Sequence, residues 1–427
     1  MRIAPKKLPS SHSSVTNLVI FPQLVMAVLL VSLALCRSSE AQTVTVLHTF
    51  TGTGGDGYNP FAPVVVAPDG RLYGTTYSGG DLSCTLGGGG GCGTVFEETL
   101  SHGKWTYSTI HEFTGVKDGC CQSSTLTLDS AGRLYGVTVG GSFGKIFRLT
   151  RGAKGKPWHF EILYSFKDKS DGEYPLTPLF IDKAGALYGI TPMGSLSKCP
   201  NGCGAVFQIV PPAKQGGKWT EHTLYQFNGG SDGGTPDTMI MESKGVIYGT
   251  TNYEGAVNGE CPSGCGVVFR LAPNQNHTYS YSVIFTFGGN PDGNPYGSLF
   301  EDASGALFGL AFKTNNEPQE VFKLTPPKTK TGEWTRAIVS TPPKGIGYMT
   351  PGAKGLLYGV LVGDQDIDAG NLFKLTPQKG SSYKFKQLVN FNNGPDRNPN
   401  AVTVGPGVLY GTLSGGSTDG GMVIEVR

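Results

Sequence analysis

Charge is scarce in this sequence. Only 15% of its 427 residues are Asp, Glu, Lys or Arg, and the net charge is +2. Nothing global therefore points to nucleic acid or to an anionic membrane surface. No stretch sustains a 3.6-residue apolar period, which excludes a helical solenoid. Gly-x-Ser-x-Gly, His-Glu-x-x-His and Walker-type phosphate loops are all missing, so no catalytic residue is assigned from a motif. The chain also ends in a strand-like segment with no sorting signal.

Long apolar runs are missing too, with one exception. Leu24 to Cys36 is apolar and follows Arg2, Lys6 and Lys7. It is too short to span a bilayer comfortably, and it reads as a signal peptide. Ser39-Glu40-Ala41 sets small residues at the −3 and −1 positions, so cleavage is expected after Ala41. That gives a signal segment 1–41 and a mature chain 42–427, secreted or periplasmic, with no membrane span left. Two other readings stay open. The run extends back through Pro22 to Val15, which would suit an uncleaved anchor. Cys36 would suit lipidation, although Leu35 precedes it where a small residue is wanted. Eight of the nine cysteines lie beyond this segment, and an even number suits an oxidising compartment.

Glycine is abundant, at 65 residues, and it recurs in register with aromatics. A hydrophobic-aromatic-glycine step appears seven times, at Leu72-Tyr73-Gly74, Leu134-Tyr135-Gly136, Leu187-Tyr188-Gly189, Ile247-Tyr248-Gly249, Leu307-Phe308-Gly309, Leu357-Tyr358-Gly359 and Leu409-Tyr410-Gly411. The aromatics are 50 to 62 residues apart. A pair such as Val95-Phe96, Ile146-Phe147 or Val206-Phe207 follows each step. A run such as Trp105 to Phe113 follows most pairs. In the third unit the strand-like runs are Thr177–Asp182, Ala186–Thr191, Ala205–Val210 and Trp219–Phe227. Four short strands per unit, separated by turn residues, fit a propeller blade. Side chains alternate, so Leu72 and Tyr73 serve opposite faces of a blade, and Gly74 is expected to leave room for the adjacent sheet.

The ends carry an independent argument. The seventh unit stops after its third strand, at Met422–Arg427. The mature chain begins with Val44–Phe50, which matches fourth strands such as Ser108–Phe113. Pairing these two ends would complete the last blade and remove an open edge. The expected fold is all-β, a seven-bladed β-propeller with four antiparallel strands per blade.

The first unit reads Asp56-Gly57-Tyr58-Asn59-Pro60, Leu72-Tyr73-Gly74-Thr75-Thr76, Gly79-Gly80 and Gly93-Thr94-Val95-Phe96. In that order the motifs resemble the GloVer repeats of choice-of-anchor tandem repeat proteins, over essentially Val44 to Arg427. Extracellular HAF-repeat proteins are a related comparison, through His48-Thr49-Phe50. The resemblance implies fold and export and no catalytic residue. Two departures stand out: the sequence ends in a strand-like segment where the family name implies an anchor, so a released or periplasmic protein is expected, and the sixth unit carries Lys344-Gly345-Ile346-Gly347 in place of Asp-Gly.

In a propeller the loops after second and fourth strands share one face. That face is expected to carry Asp56, Asp118, Asp171, Asp232, Asp292 and Asp396, with Tyr58, Tyr174 and Tyr296 beside them. These residues would line a cation or sugar site at the mouth, or the aspartates would serve as turn chemistry alone. The other face collects Lys154, Lys156, Lys214, Lys218, Lys328 and Lys330, a solvated rim. Cys84 with Cys92, Cys199 with Cys203 and Cys261 with Cys265 would each staple their own loop. Cys120 and Cys121 would form a vicinal disulfide or pair elsewhere, and a zinc site would want closer spacing. Asp364, Asp366 and Asp368 resemble the start of a calcium loop. Ala369 and Leu375 stand where an EF-hand needs Gly and Glu, so only a looser calcium site fits, and no other cofactor is expected. His48, His111 and His222 read as edge or packing residues.

The function these observations imply is a non-catalytic extracellular binding module for a polysaccharide or protein partner. A secreted carbohydrate-active hydrolase or lyase using mouth carboxylates is a second reading, and a structural envelope protein a third.

Overall fold

The strand-forming segments are short, rich in β-branched and aromatic residues, and cut by Gly, Pro and Asp, so sheets form and helices do not. A computed structural model of the chain describes residues 42–427 apart from 87–89, 123, 168–169, 195–198, 200–201, 215, 257–260, 277, 289–292, 313–318, 330–331, 344, 363–369, 381, 392–397 and 416–419. The signal segment, Asp292, Asp396, Asp364, Asp366, Asp368 and Lys330 therefore lie outside the described residues. Thr43–Arg427 make one unit. Among its described residues the only helical pieces are the three-residue turns Gly230–Asp232 and Ala353–Gly355.

Seven four-stranded antiparallel sheets follow one another as the blades of a β-propeller. Blade one is built from Val65–Val66, Leu72–Thr76, Thr94–Ser101 and Lys104–Glu112. Blade two has Thr127–Leu128, Leu134–Thr138, Lys145–Thr150 and His159–Ser165. Blade three has Phe180–Ile181, Leu187–Thr191, Ala205–Val210 and Thr220–Gln226. Blade four has Gly234–Met241, Ile247–Tyr253, Val267–Pro273 and Tyr279–Thr286. Blade five has Asn294–Glu301, Leu307–Phe312, Glu320–Thr325 and Thr335–Ser340. Blade six has Ile346–Pro351, Leu357–Leu361, Asn371–Pro377 and Tyr383–Asn390. Blade seven takes Asn398–Val404, Leu409–Ser414 and Met422–Val426 from the end of the chain, and Val44–Thr49 from its beginning.

That shared blade closes the ring as the sequence requires. Val44 pairs with Val426, Val46 with Ile424 and Thr49 with Met422. Thr43 and Arg427 exchange backbone hydrogen bonds of 2.9 and 3.0 Å.

The Tyr-Gly glycine has a different reason from the one expected. Its space is filled by an aromatic on the next strand of the same blade. Gly189 pairs directly with Phe207, and a methyl group on Gly189 would lie 2.5 Å from the tip of that ring. The same register holds for Gly74 with Phe96, Gly136 with Phe147, Gly249 with Phe269, Gly309 with Phe322 and Gly359 with Phe373. Only Gly411, opposite Ile424, lacks the ring.

The core sits between blades, where these rings meet a second set. Phe50, Phe113, Phe166, Phe227 and Phe287 follow the fourth strands and are fully buried or nearly so. Each meets the third-strand phenylalanine of the next blade edge-on, at centroid distances of 5.2 to 5.5 Å. Burying such a ring contributes about 1.5–3 kcal/mol, so this repeated contact is the main inter-blade cement.

Candidate functional site

Every blade bulges where its third and fourth strands pair, skipping one apolar residue such as Ile110, Leu163 or Leu224. The residue after the bulge is thereby aimed at the turn that leads into the next blade. In four blades that residue is His48, His111, Tyr164 or Tyr225, and each reaches the aspartate of an Asp-Gly turn. His48 Nε2 lies 3.1 Å from Asp56, and His111 Nε2 lies 3.2 Å from Asp118. The hydroxyls of Tyr164 and Tyr225 donate to Asp171 and Asp232 at 2.6 and 2.8 Å. The backbone N–H groups of Thr51, Thr114, Lys167 and Asn228 donate to the same four carboxylates. Burial works against ionisation of Asp56 and Asp118. The bonds from His48 with Thr51, and from His111 with Thr114, outweigh it and hold both carboxyls below their ordinary value.

These four aspartates are thus clamps between an outer strand and the following turn, each on its own blade. The rings that hold them are also packed: His48 stacks on Tyr107 at 3.7 Å, His111 on Phe160 at 3.9 Å and Tyr225 on Tyr281 at 4.0 Å. His222 is exposed and takes no part. In the sixth unit Ser340 stands at the post-bulge position, and Lys344, which the sequence carries in place of the aspartate, lies outside the described residues.

The cysteines support the same face. Cys84 and Cys92, Cys199 and Cys203, and Cys261 and Cys265 pair across their loops with Cα separations of 5.6, 5.3 and 5.3 Å, the span a disulfide needs. Cys120 pairs with its neighbour Cys121, 3.8 Å away. Gly115 lies against the Cys84 sulfur and Gly229 against those of Cys199 and Cys203, so cysteine loops and the turns after fourth strands pack on one another.

What this scaffold displays is aromatic and apolar. Tyr174 and Tyr296 are 37% and 47% exposed, while Tyr58 is half-buried beneath Gly52 and Gly420. The left-handed backbone of Tyr174 (φ 59°) recurs at Asn59, Cys121 and Thr235, the residue two or three places after each Asp-Gly. Sequence reasoning missed Phe61, Tyr253 and Phe312, which are 39%, 50% and 52% exposed on the same face. Leu82, Leu86, Val116, Leu176, Met193 and Val362 lie there too. Among the described residues, eleven of the fifteen exposed large hydrophobic ones thus belong to one face, and Val44, Val46, Leu100 and Ile338 lie elsewhere. The usable signal was position: they sit at or just after the end of a second strand, or at or just before the start of a first one.

One carboxyl on the innermost strand of blade four also escaped the sequence reading. Asp237 accepts from Gly297 N–H at 2.6 Å and from the Asn252 amide at 3.4 Å. Burial raises its carboxyl above the ordinary value despite both bonds. Among the described residues no three His, Cys, Asp or Glu converge as a metal site, and no helix is long and apolar enough to cross a membrane.

Solved structures similar to this chain are propellers of low identity, which bears on the fold alone. An extracellular domain of a one-component system from B. thetaiotaomicron is 15% identical with a TM-score of 0.53, covering 88% of this chain and 41% of that one. A polysaccharide lyase, an ulvan lyase, is 11% identical with a TM-score of 0.51, covering 89% and 95%. A protein from Lactobacillus plantarum is 15% identical with a TM-score of 0.50, covering 78% and 95%. No curated protein sequence matches the chain. The family description "Gloeobacter/Verrucomicrobia repeat" matches residues 35–199 and 144–342, where the Tyr-Gly steps, Asp-Gly clamps and Val-Phe pairs recur, and the chain belongs to that repeat family.

Proposed function

We propose that this propeller is an exported, non-catalytic binding module that holds a polysaccharide on the face carrying the Asp-Gly turns. One observation carries the reading: the solvent-exposed rings of Phe61, Tyr174, Tyr253, Tyr296 and Phe312 are gathered on that face and spread over four blades or the turns that enter them, Tyr296 and Phe312 meeting edge-on at 6.3 Å in blade five. Exposed rings gathered on one face are a mark of a ligand or partner site, whereas the same rings scattered singly over the surface would need no explanation. Spaced flat rings, three of them tyrosines with a polar tip, suit successive sugar rings, whereas a protein interface needs a contiguous apolar core. The clamped aspartates and paired cysteines supply the stiffness such a face needs. Export is part of the proposal and rests on the segment 1–41 and the cysteine pairs.

The test is a glycan array probed with residues 42–427 and with variants Y253A, Y296A and F312A. Each substitution is expected to weaken binding about tenfold with no change in thermal midpoint, as a lost stacking contact would. Retention of full affinity in all three would remove the proposal. A hydrolase or lyase reading draws on Asp237 alone, since its raised pKa and inner-strand position suit a general acid. A reducing-end and unsaturated-product assay on the bound polysaccharides decides it. Product release lost in D237N would replace the binding reading with a catalytic one.

A further inference from the structure

A cavity of about 1110 Å³ opens on the opposite face, between the inner strands and first hairpins of blades one to three. Its walls include Val66, Pro68, Leu128 and Pro178, and two arginines stand in it. Arg71 and Arg151 come from different blades and converge on one oxygen of the buried Glu97. Arg71 Nε lies 3.3 Å from it, and Arg151 Nη2 bonds the same atom and the Tyr73 hydroxyl, the latter at 2.7 Å. Arg71 Nη1 also holds Asp69 at 2.8 Å. The guanidinium of Arg151 lies 4.5 Å from the centre of the Trp158 ring. Both arginines remain 36–40% exposed, and a guanidinium carries five donors, so N–H groups are left over that face the cavity.

The carboxylates beside them are already engaged. Asp129 accepts from Ala131 N–H, Arg133 and the Tyr135 hydroxyl, and Asp182 from Ala184 N–H, Ala186 N–H and the Tyr188 hydroxyl. Their remaining lone pairs suit hydroxyl donors. A dense polyanion such as a polyphosphate would be repelled by Asp69, Asp129 and Asp182. A ligand with one acidic group among many hydroxyls would satisfy both sets. The volume lies slightly above the usual range for ligand sites, enough for several sugar rings. We propose that this cavity binds an acidic oligosaccharide, its carboxylate or sulfate ester held by Arg71 and Arg151 and its hydroxyls by the hairpin carboxylates. This site is separate from the aromatic face and stands whether or not that face binds a ligand.

The test titrates residues 42–427 with tetragalacturonate, a sulfated tetrasaccharide, neutral maltotetraose and inorganic sulfate, following tryptophan emission. Trp158 reports because an anion drawing on Arg151 alters the cation stacked over that ring. One of the acidic sugars is expected to bind, more weakly as salt rises, and maltotetraose and sulfate alone are not. R71Q is expected to weaken binding about tenfold or more, as loss of a charge-assisted bond does. R71K should recover part of it through charge without the fork. Because Arg151 still neutralises Glu97 in R71Q, the variant should keep the wild-type thermal midpoint, and W158F should abolish the optical change without abolishing calorimetric binding. Equal affinity for maltotetraose, an R71Q affinity equal to wild type, or no binding of either acidic sugar would each overturn the proposal.

Discussion

At the scale of single residues, the informative sites are those that break the repeat. The residue two after each third-strand aromatic is Leu149, Ile209, Leu271, Leu324 or Leu375 in five blades, and Val426 stands two after Ile424 in the seventh, all buried. In blade one it is Glu98, fully buried, with neither oxygen hydrogen-bonded. Burial pushes its carboxyl from 4.5 up to about 7, the His48 charge opposing that rise and the Asp56 charge adding to it. The sign follows from linkage. The folded state holds the proton more tightly than the unfolded chain, so this contribution is full below pH 4.5 and disappears as pH rises through about 7. The loss is on the order of 3 kcal/mol, and it falls on the seam between blades seven and one. Urea unfolding at pH 5 and pH 8 should show wild type losing more stability across that window than E98L, which should also be the more stable protein at pH 8. Equal losses in the two would show that Glu98 does not titrate in this way. Asp118 has the opposite sign: its lowered carboxyl stabilises above the ordinary range and loses that contribution as pH falls. D118N is accordingly expected to cost about 1–3 kcal/mol at neutral pH and less in acid, as melts at the two pH values would register.

At the scale of the element, a strand's neighbours decide what its residues are for. Ala at Gly189 would collide with Phe207, which is closed in by Phe166, and overpacking of that kind costs about 1–3 kcal/mol. At Gly411 the opposing group is Ile424, whose nearest carbon would lie 3.0 Å from the added methyl. G189A should therefore lower the unfolding free energy by clearly more than G411A in parallel denaturant melts, and equal costs would discount the ring-over-glycine contact. The sequence displayed the Tyr-Gly step and the Val-Phe pair as separate periodic marks, and from them the strands could be placed. That the two marks are partners is a matter of register, which spacing does not encode because loop lengths between second and third strands vary. The same limit hid the clamps. Asp-Gly was legible as a turn, and His48, His111, Tyr164 and Tyr225 were legible as strand residues. The bulge that turns each ring onto its aspartate is a backbone event with no residue signature of its own. Asp237, Arg71 and Arg151 were equally invisible, since each becomes notable only through neighbours from other blades.

At the scale of the molecule, closure is where sequence and structure agree most directly, because one repeat was visibly split between the two ends of the chain. Six of the seven blades are continuous in sequence, so their strands meet at low entropic cost. Blade seven must bring together segments more than three hundred residues apart, and its reward is the burial of Met422–Val426, every residue of which is buried. Without Val44–Thr49 that strand would present an apolar, unpaired edge, the arrangement that recruits strands from other molecules. A chain starting at Thr51 should therefore melt lower than residues 42–427 and sediment as oligomers rather than as the species the longer chain forms. A synthetic peptide of residues 42–50 should restore the longer chain's behaviour, since it supplies the missing pairs and Phe50 to cover Phe96. A peptide with Phe50 replaced by Ala tests whether the ring or the ladder matters more. The ring is buried and contacts the following blade, so its removal should weaken rescue about tenfold or more. Unchanged melting and sedimentation of the truncated chain would mean that the blade stack holds its shape without the seam, and that the split repeat serves some end other than closure.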